Sequence, residues 1–167
     1  MQMTTVGPND GNGLFAHFLI ANGGHSYYIN DGSTVGDVYT TAVGNDANSG
    51  KDPADPMVTL AALLQAYTLG PADTIYIDTG NYTLLHNVML DALHSGVAIV
   101  GPTTGPGAVL NRANTNPGSY DFQMQGGTNV TLSQLTLTGG VDGLYGSNTV
   151  NSTGLTVSNC SIFGIKS

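Results

Sequence analysis

The chain is 167 residues long, one domain's worth, yet only 8% of its residues are charged and its formal net charge is −8. Lys51, Arg112 and Lys166 are its only cations, which excludes clustered-base recognition of nucleic acid or of an anionic membrane surface. With 24 Gly, 40% apolar residues and no run near the ~18 apolar residues that suggest membrane insertion, the composition points to an ordered β protein rich in tight turns.

The first apolar stretch is Leu14–Ala21 (LFAHFLIA). It is short and lacks a positive flank, so it does not read as a signal peptide. Residues 44–55 then gather Asp, Asn, Gly and Pro in front of one apolar run. That run, 56–68 (PMVTLAALLQAYT), predicts a helix. Asp55 suits its cap and Pro56 its first turn. Leu60, Leu63, Leu64 and Tyr67 fall on one face, and Gly70-Pro71 stops it. After it come short predicted strands at 74–78, 97–100, 120–125, 130–132, 135–137, 155–157 and 161–163, punctuated by Gly, Asn and Pro. The single Cys160 excludes an internal disulfide framework.

A repeat organises the second half. VTLSQLTLTG (130–139) lies over LTVSNCSIFG (155–164) at an offset of 25, with Thr, Ser and Gly identical and the apolar positions alternating alike. Upstream, TIYID and VAIVG begin 23 residues apart. Short strands repeating at this length predict a solenoid, whose coils bury their apolar sides on one another. Cys160 then takes the place of Leu135 and is expected in the core. Asn129, Asn151 and Asn159 fall at or near strand ends, where Asn tolerates left-handed backbone.

The stretch AVGNDANSGKDPADPMVTLAALLQAY, followed by GPADTIYIDTGNY, resembles the opening of secreted right-handed parallel β-helix proteins, among them family-9-type pectate lyases and large bacterial surface proteins. The resemblance spans residues 27–164. Pro71-Ala72-Asp73 departs from the usual Pro-Gly-Asp. It implies an all-β, right-handed parallel β-helix with an N-terminal capping α-helix. The chain then divides into an extension (1–26), a capping loop and helix (27–72) and β-helix coils (73–167). The family's catalytic and calcium residues lie in later coils, so none is carried over.

Residue chemistry supplies the remaining candidates. Asp46 and Asn48 read as Asx turns at the helix entrance; the rival reading makes Asp46, Asn48 and Asp52 oxygen ligands of calcium. No other cofactor is implied. Asp121 and Asp142 lie on successive coils, where strands ~4.8 Å apart would bring a stacked pair close to a retaining hydrolase's spacing. An alternative alignment puts Tyr120 over Asp142. Tyr120, Phe122 and Met124 are expected in the core, leaving Asp121, Gln123 and Gln125 as an outward polar strip of the kind that binds sugars. His17, His25, His86 and His94 have no metal-ligand spacing.

A lyase needs a base and a cation beside the uronate, and no two of the three cations look able to converge. The expectation is therefore a non-catalytic extracellular or cell-surface β-helix module with an adhesive or self-assembly role. The alternatives are the N-terminal part of a polysaccharide-active enzyme (lyase, epimerase or hydrolase) or a sugar-binding domain. The partner is a polysaccharide or another copy of the chain. Leu155, Val157, Cys160 and Ile162 would form an apolar floor, and Leu14–Ile20 could add a strand to a neighbour's floor, giving a head-to-tail homo-oligomer.

Overall fold

The computed structural model describes residues 24–166, so Leu14–Ile20 and His17 lie outside the described residues. Among the described residues the fold is mostly β, with three parallel sheets and one α-helix. Sheet A holds β1 (Ser26–Ile29), β2 (Thr74–Ile77), β5 (Ala98–Val100), β8 (Thr131–Ser133) and β11 (Thr156–Ser158) in that order. Sheet B runs β3 (Gly80–Thr83), β6 (Ala108–Asn111), β9 (Leu135–Thr138), β12 (Ser161–Phe163). Sheet C runs β4 (Val88–Asp91), β7 (Tyr120–Gln125), β10 (Asp142–Gly146). From β2 onward the chain visits A, B and C in rotation, and from β5 onward each strand pairs in parallel with the one a circuit earlier.

Register follows the repeat. Leu132 pairs with Val157 and Leu137 with Ile162, the offset of 25 read from the sequence. The upstream offset is 24 rather than 23, because Thr74 pairs with Ala98. Inward positions form columns: Tyr27, Ile75, Ile99 and Leu132 in sheet A, and Tyr82, Leu110 and Leu137 in sheet B, all buried. Phe122 at 0% exposure centres sheet C. Each such side chain contributes about 1.5–3 kcal/mol by leaving water. Between β8 and β9 the corner is one residue, Gln134, at φ 58; Asn159 at φ 51 takes the same place a circuit later. The left-handed backbone there turns the chain from one sheet to the next.

The helix is shorter than predicted. α1 spans Leu60–Ala66 and its cap is Thr59, whose Oγ1 accepts from Ala62 N at 3.1 Å. Residues 56–58 do not enter it because β pairing competes for them. Met57 bridges Ile29, donates its N–H to Tyr28 O at 3.0 Å and accepts from Asn30 N at 2.9 Å. Asp55 caps nothing and instead accepts from Ser49 N and Oγ at 2.9 and 2.7 Å.

The loop between β1 and α1 is pinned by Asp78, which is fully buried just after β2. Its carboxylate accepts from the N–H groups of Val38, Tyr39, Thr40 and Thr79 at 2.7–2.8 Å, and from Thr40 Oγ1 at 2.8 Å. Burial pushes its pKa up, yet these donors outweigh burial and hold it below the usual carboxylate value. Cys160 is half-buried rather than buried. Its Sγ lies 3.5 Å from Ser158 O and 3.6 Å from Leu132 O, in the last described circuit, where Leu155, Val157, Ile162 and Phe163 are exposed.

Candidate functional site

The richest arrangement of side chains is on the outer face of sheet C and the corner leading into it. Pairing of β4, β7 and β10 lines up Met89, Gln123 and Tyr145 in one row and Asp91 with Gln125 in another. Tyr120 and Tyr145 stack with ring centroids 4.1 Å apart and planes 6° from parallel. Tyr120 was expected inside; it stands half-exposed on this face instead.

A chain of hydrogen bonds leads to the same face. Arg112 is buried in the corner after β6. Its Nη1 donates to Leu84 O at 3.0 Å and its Nε to Asn87 Oδ1 at 3.1 Å. Asn87 Oδ1 also accepts from Tyr120 N at 3.0 Å. Asn87 Nδ2 donates to Gly118 O and to Gln123 Oε1, both at 2.9 Å, and Gln123 Nε2 donates to Gln125 Oε1 at 3.1 Å. A guanidinium has donors only. It therefore fixes which end of Asn87 faces it, then Gln123, then Gln125. The relay ends on the Gln125 amide nitrogen, a donor.

Asp121 does not belong to this strip. It is at 0% exposure, with Oδ1 accepting from Arg112 N at 3.2 Å. Its Oδ2 has no hydrogen-bond partner among the described residues. Burial drives its pKa up to about 7, against the smaller opposing pull of the Arg112 N–H and guanidinium. Asp142 pairs with Tyr120 and stays half-exposed. The two carboxylates are therefore not a stacked pair: one is sealed inside, the other is one register step away. The outward strip predicted as Asp121, Gln123 and Gln125 is instead Gln123 and Gln125 beside Tyr120 and Tyr145.

At the helix entrance, Asp46 Oδ1 accepts from Val58 N and Thr59 N at 3.0 and 2.8 Å, and Oδ2 from Thr59 Oγ1 at 2.8 Å. Asn48 Nδ2 donates to Pro56 O at 2.9 Å, and Asp52 Oδ1 accepts from Ala54 N at 2.8 Å. Each candidate calcium ligand is thus engaged with the backbone of its own loop. Among the described residues no group of three or more His, Cys, Asp or Glu is placed to hold a metal ion. His25 Nδ1 lies 3.2 Å from Asp73 Oδ1, and His94 Nδ1 lies 2.8 Å from Asp91 Oδ1 in a capping box.

Asn87 and Arg112 carry this site and neither was singled out for it from sequence. They are 25 residues apart and meet only because β3 and β6 are stacked. The alignment placing Tyr120 over Asp142 was the one available signal for the tyrosine stack. Compared with known proteins, the chain matches no family model, no curated protein and no solved structure.

Proposed function

We propose that the chain is a non-catalytic extracellular module of the right-handed parallel β-helix type, a solenoid, which adheres to a neutral polysaccharide through the outer face of sheet C. The rotation of the chain through three parallel sheets and the 25-residue repeat support the solenoid reading. The observation that carries the function is the oriented amide relay ending at Gln125 beside the stacked Tyr120 and Tyr145. Apolar faces of pyranose rings stack on tyrosine, and their hydroxyls accept from a fixed amide N–H; a few placed polar groups beside aromatic surface make a typical ligand face. A net charge of −8 repels polyuronates, which selects neutral glycans.

Calorimetric titration with soluble neutral and acidic glycans tests this. Saturable binding to a neutral glycan, lost in Tyr145→Ala and weakened in Gln125→Ala, is expected. Turnover of any glycan, or neutral-glycan binding untouched by both substitutions, would sink the reading.

A second reading, self-association, rests on the apolar underside formed by Leu155, Val157, Ile162 and Phe163, exposed by 36, 41, 45 and 55%. Light scattering checks it: association that strengthens as salt screens the net charge, and that Ile162→Asp abolishes, would favour this reading.

A further inference from the structure

We propose that the outer face of sheet C takes a glycan whose pyranose units carry free amines, the Asp142 carboxylate receiving an ammonium group beside the stacked Tyr120 and Tyr145. This rests on the glycan reading of that face and narrows its ligand. The face presents two carboxylates and no cation. Asp142 shares a row with Tyr120, and Asp91 shares one with Gln125. Those rows stand five residues apart along β7, about 16 Å at ~3.3 Å per residue. Asp91 is partly engaged: its Oδ1 accepts from Leu93 N at 2.9 Å and lies 2.8 Å from His94 Nδ1. Asp142 is half-exposed and forms no ion pair among the described residues, where both such pairs are His–Asp contacts.

The chain's own cations are turned elsewhere. Lys51 Nζ sits 4.5 Å from the centroid of the Tyr67 ring. Arg112 is buried and donates to Leu84 O and Asn87 Oδ1. Lys166 comes close along the backbone, its N donating to Gly140 O at 3.1 Å, yet its ammonium pairs with no carboxylate among the described residues. The charge of Asp142 is felt at the tyrosine stack. Burial raises the pKa of Tyr120 first, and the Tyr145 and Asp142 side chains add to the rise. A cation lying over the stack is therefore drawn both by that carboxylate and by the ring faces. A sugar hydroxyl gains only a hydrogen bond there, and a uronate is repelled. An ammonium has three donors and no acceptor, which suits Asp142, while the Gln125 amide N–H is left for an oxygen of the same glycan. The net charge of −8 adds a long-range attraction for any polycation, so the local carboxylate has to be separated from it.

Three probes that differ only at the second carbon of each unit make the test: β-1,4-linked hexamers of glucose, of glucosamine and of N-acetylglucosamine, titrated calorimetrically into the full chain below the pKa of the amine. The glucosamine hexamer is expected to bind roughly five- to tenfold more tightly than the glucose hexamer at low salt, as an exposed ion pair and a cation over tyrosine together allow. Acetylation of the amine should cancel the advantage, and added salt should shrink it. In Asp142→Asn the ratio of the two affinities should fall to near one. Asp52→Asn makes the same change in net charge in the exposed loop before α1 and should leave the ratio as it is in the parent. Equal binding of the glucose and glucosamine hexamers by the parent overturns the proposal. So does a ratio that survives Asp142→Asn, or one that falls equally in Asp52→Asn, which would assign the preference to net charge. Binding of the glucosamine hexamer alone supports the proposal and removes neutral glycans from the reading of this face. Failure of all three to bind overturns the proposal together with the glycan face on which it rests.

Discussion

Nε of Arg112 donates to Oδ1 of Asn87 at 3.1 Å, and that bond sets the direction of the amides beyond it, Gln123 and Gln125. Arg112→Met removes both side-chain donors, leaving Leu84 O without its donor and Asn87 Oδ1 with Tyr120 N alone. At 1–3 kcal/mol for an unpaired group, the loss should be about 2 kcal/mol. Arg112→Lys should recover little of it, because an ammonium cannot reproduce the planar fork. Urea unfolding measures the cost. Side-chain amide exchange of Asn87 and Gln123 by NMR, slow in the parent and fast in both variants, separates loss of the relay from general loosening. A stability change below about 0.5 kcal/mol, within the range of ordinary surface substitutions, would show that the corner is solvated.

Two kinds of aspartate give this protein opposite pH dependences. Asp121, pushed to about 7 by burial, takes up a proton on folding where an unfolded aspartate near ~3.9 has already lost it. Its contribution is fully present below the unfolded value and is lost as pH rises through about 7, by about 1.4 kcal/mol per unit at most. Asp37 is raised in the same sense, burial exceeding the lowering hydrogen bond from Asn30. Asp78 and Asp73 run the other way. Both feel burial first, but their N–H donors pull them below the ordinary value. Their contribution is present above the unfolded value and is lost as pH falls through the folded one. Stability should therefore fall between pH 5 and 7 in the parent. In Asp121→Asn, which keeps an acceptor for Arg112 N, that slope should flatten. Urea midpoints taken across this range would contradict the assignment if the two slopes coincide.

Asp78→Ala tests what holds the loop between β1 and α1. The substitution leaves four backbone N–H groups without their carboxylate, three of them consecutive at 38–40. The exposed end of the loop can rehydrate, so the cost should be about 3 kcal/mol rather than the sum of four unpaired donors. Hydrogen exchange should show residues 38–40 losing protection before sheet A does. Simultaneous loss in loop and sheet would mean that Asp78 supports the whole stack instead.

The strands of sheet A from β2 onward and the late strands of sheet B were legible because their apolar residues repeat at one spacing, as Leu132 over Val157 and Leu137 over Ile162 do. β1, β3, β4, β6 and β10 were missed. Gly80–Thr83 and Asp142–Gly146 carry Gly, Asn and Tyr that read as turns, and only their neighbours above and below make them strands. The site was less legible still. Strict alternation put Asp121 outside with Gln123, but its buried carboxylate and the half-exposed Tyr120 depart from alternation at the start of β7. Pairwise partners such as Arg112 and Asn87 leave no mark in a single sequence, since nothing local to either residue names the other.

At the helix entrance the carboxylate of Asp46 occupies three donors, Val58 N, Thr59 N and Thr59 Oγ1, and so holds the capping residue of α1 in place. A calcium ion at this carboxylate would have to compete with bonds already made. Asp46→Ala should lower the melting temperature by freeing Thr59, whose own cap to Ala62 N is worth about 1 kcal/mol. Asp46→Asn should lower it less, since one oxygen remains to accept. Chelator should leave the melting temperatures of the parent and both variants unchanged. A rise of the parent's melting temperature with calcium, reversed by chelator and absent in Asp46→Ala, would instead make residues 44–52 a cation loop. The parent scan with and without calcium is the deciding measurement, because ligand that binds only the folded state must raise its stability in proportion to the logarithm of its concentration.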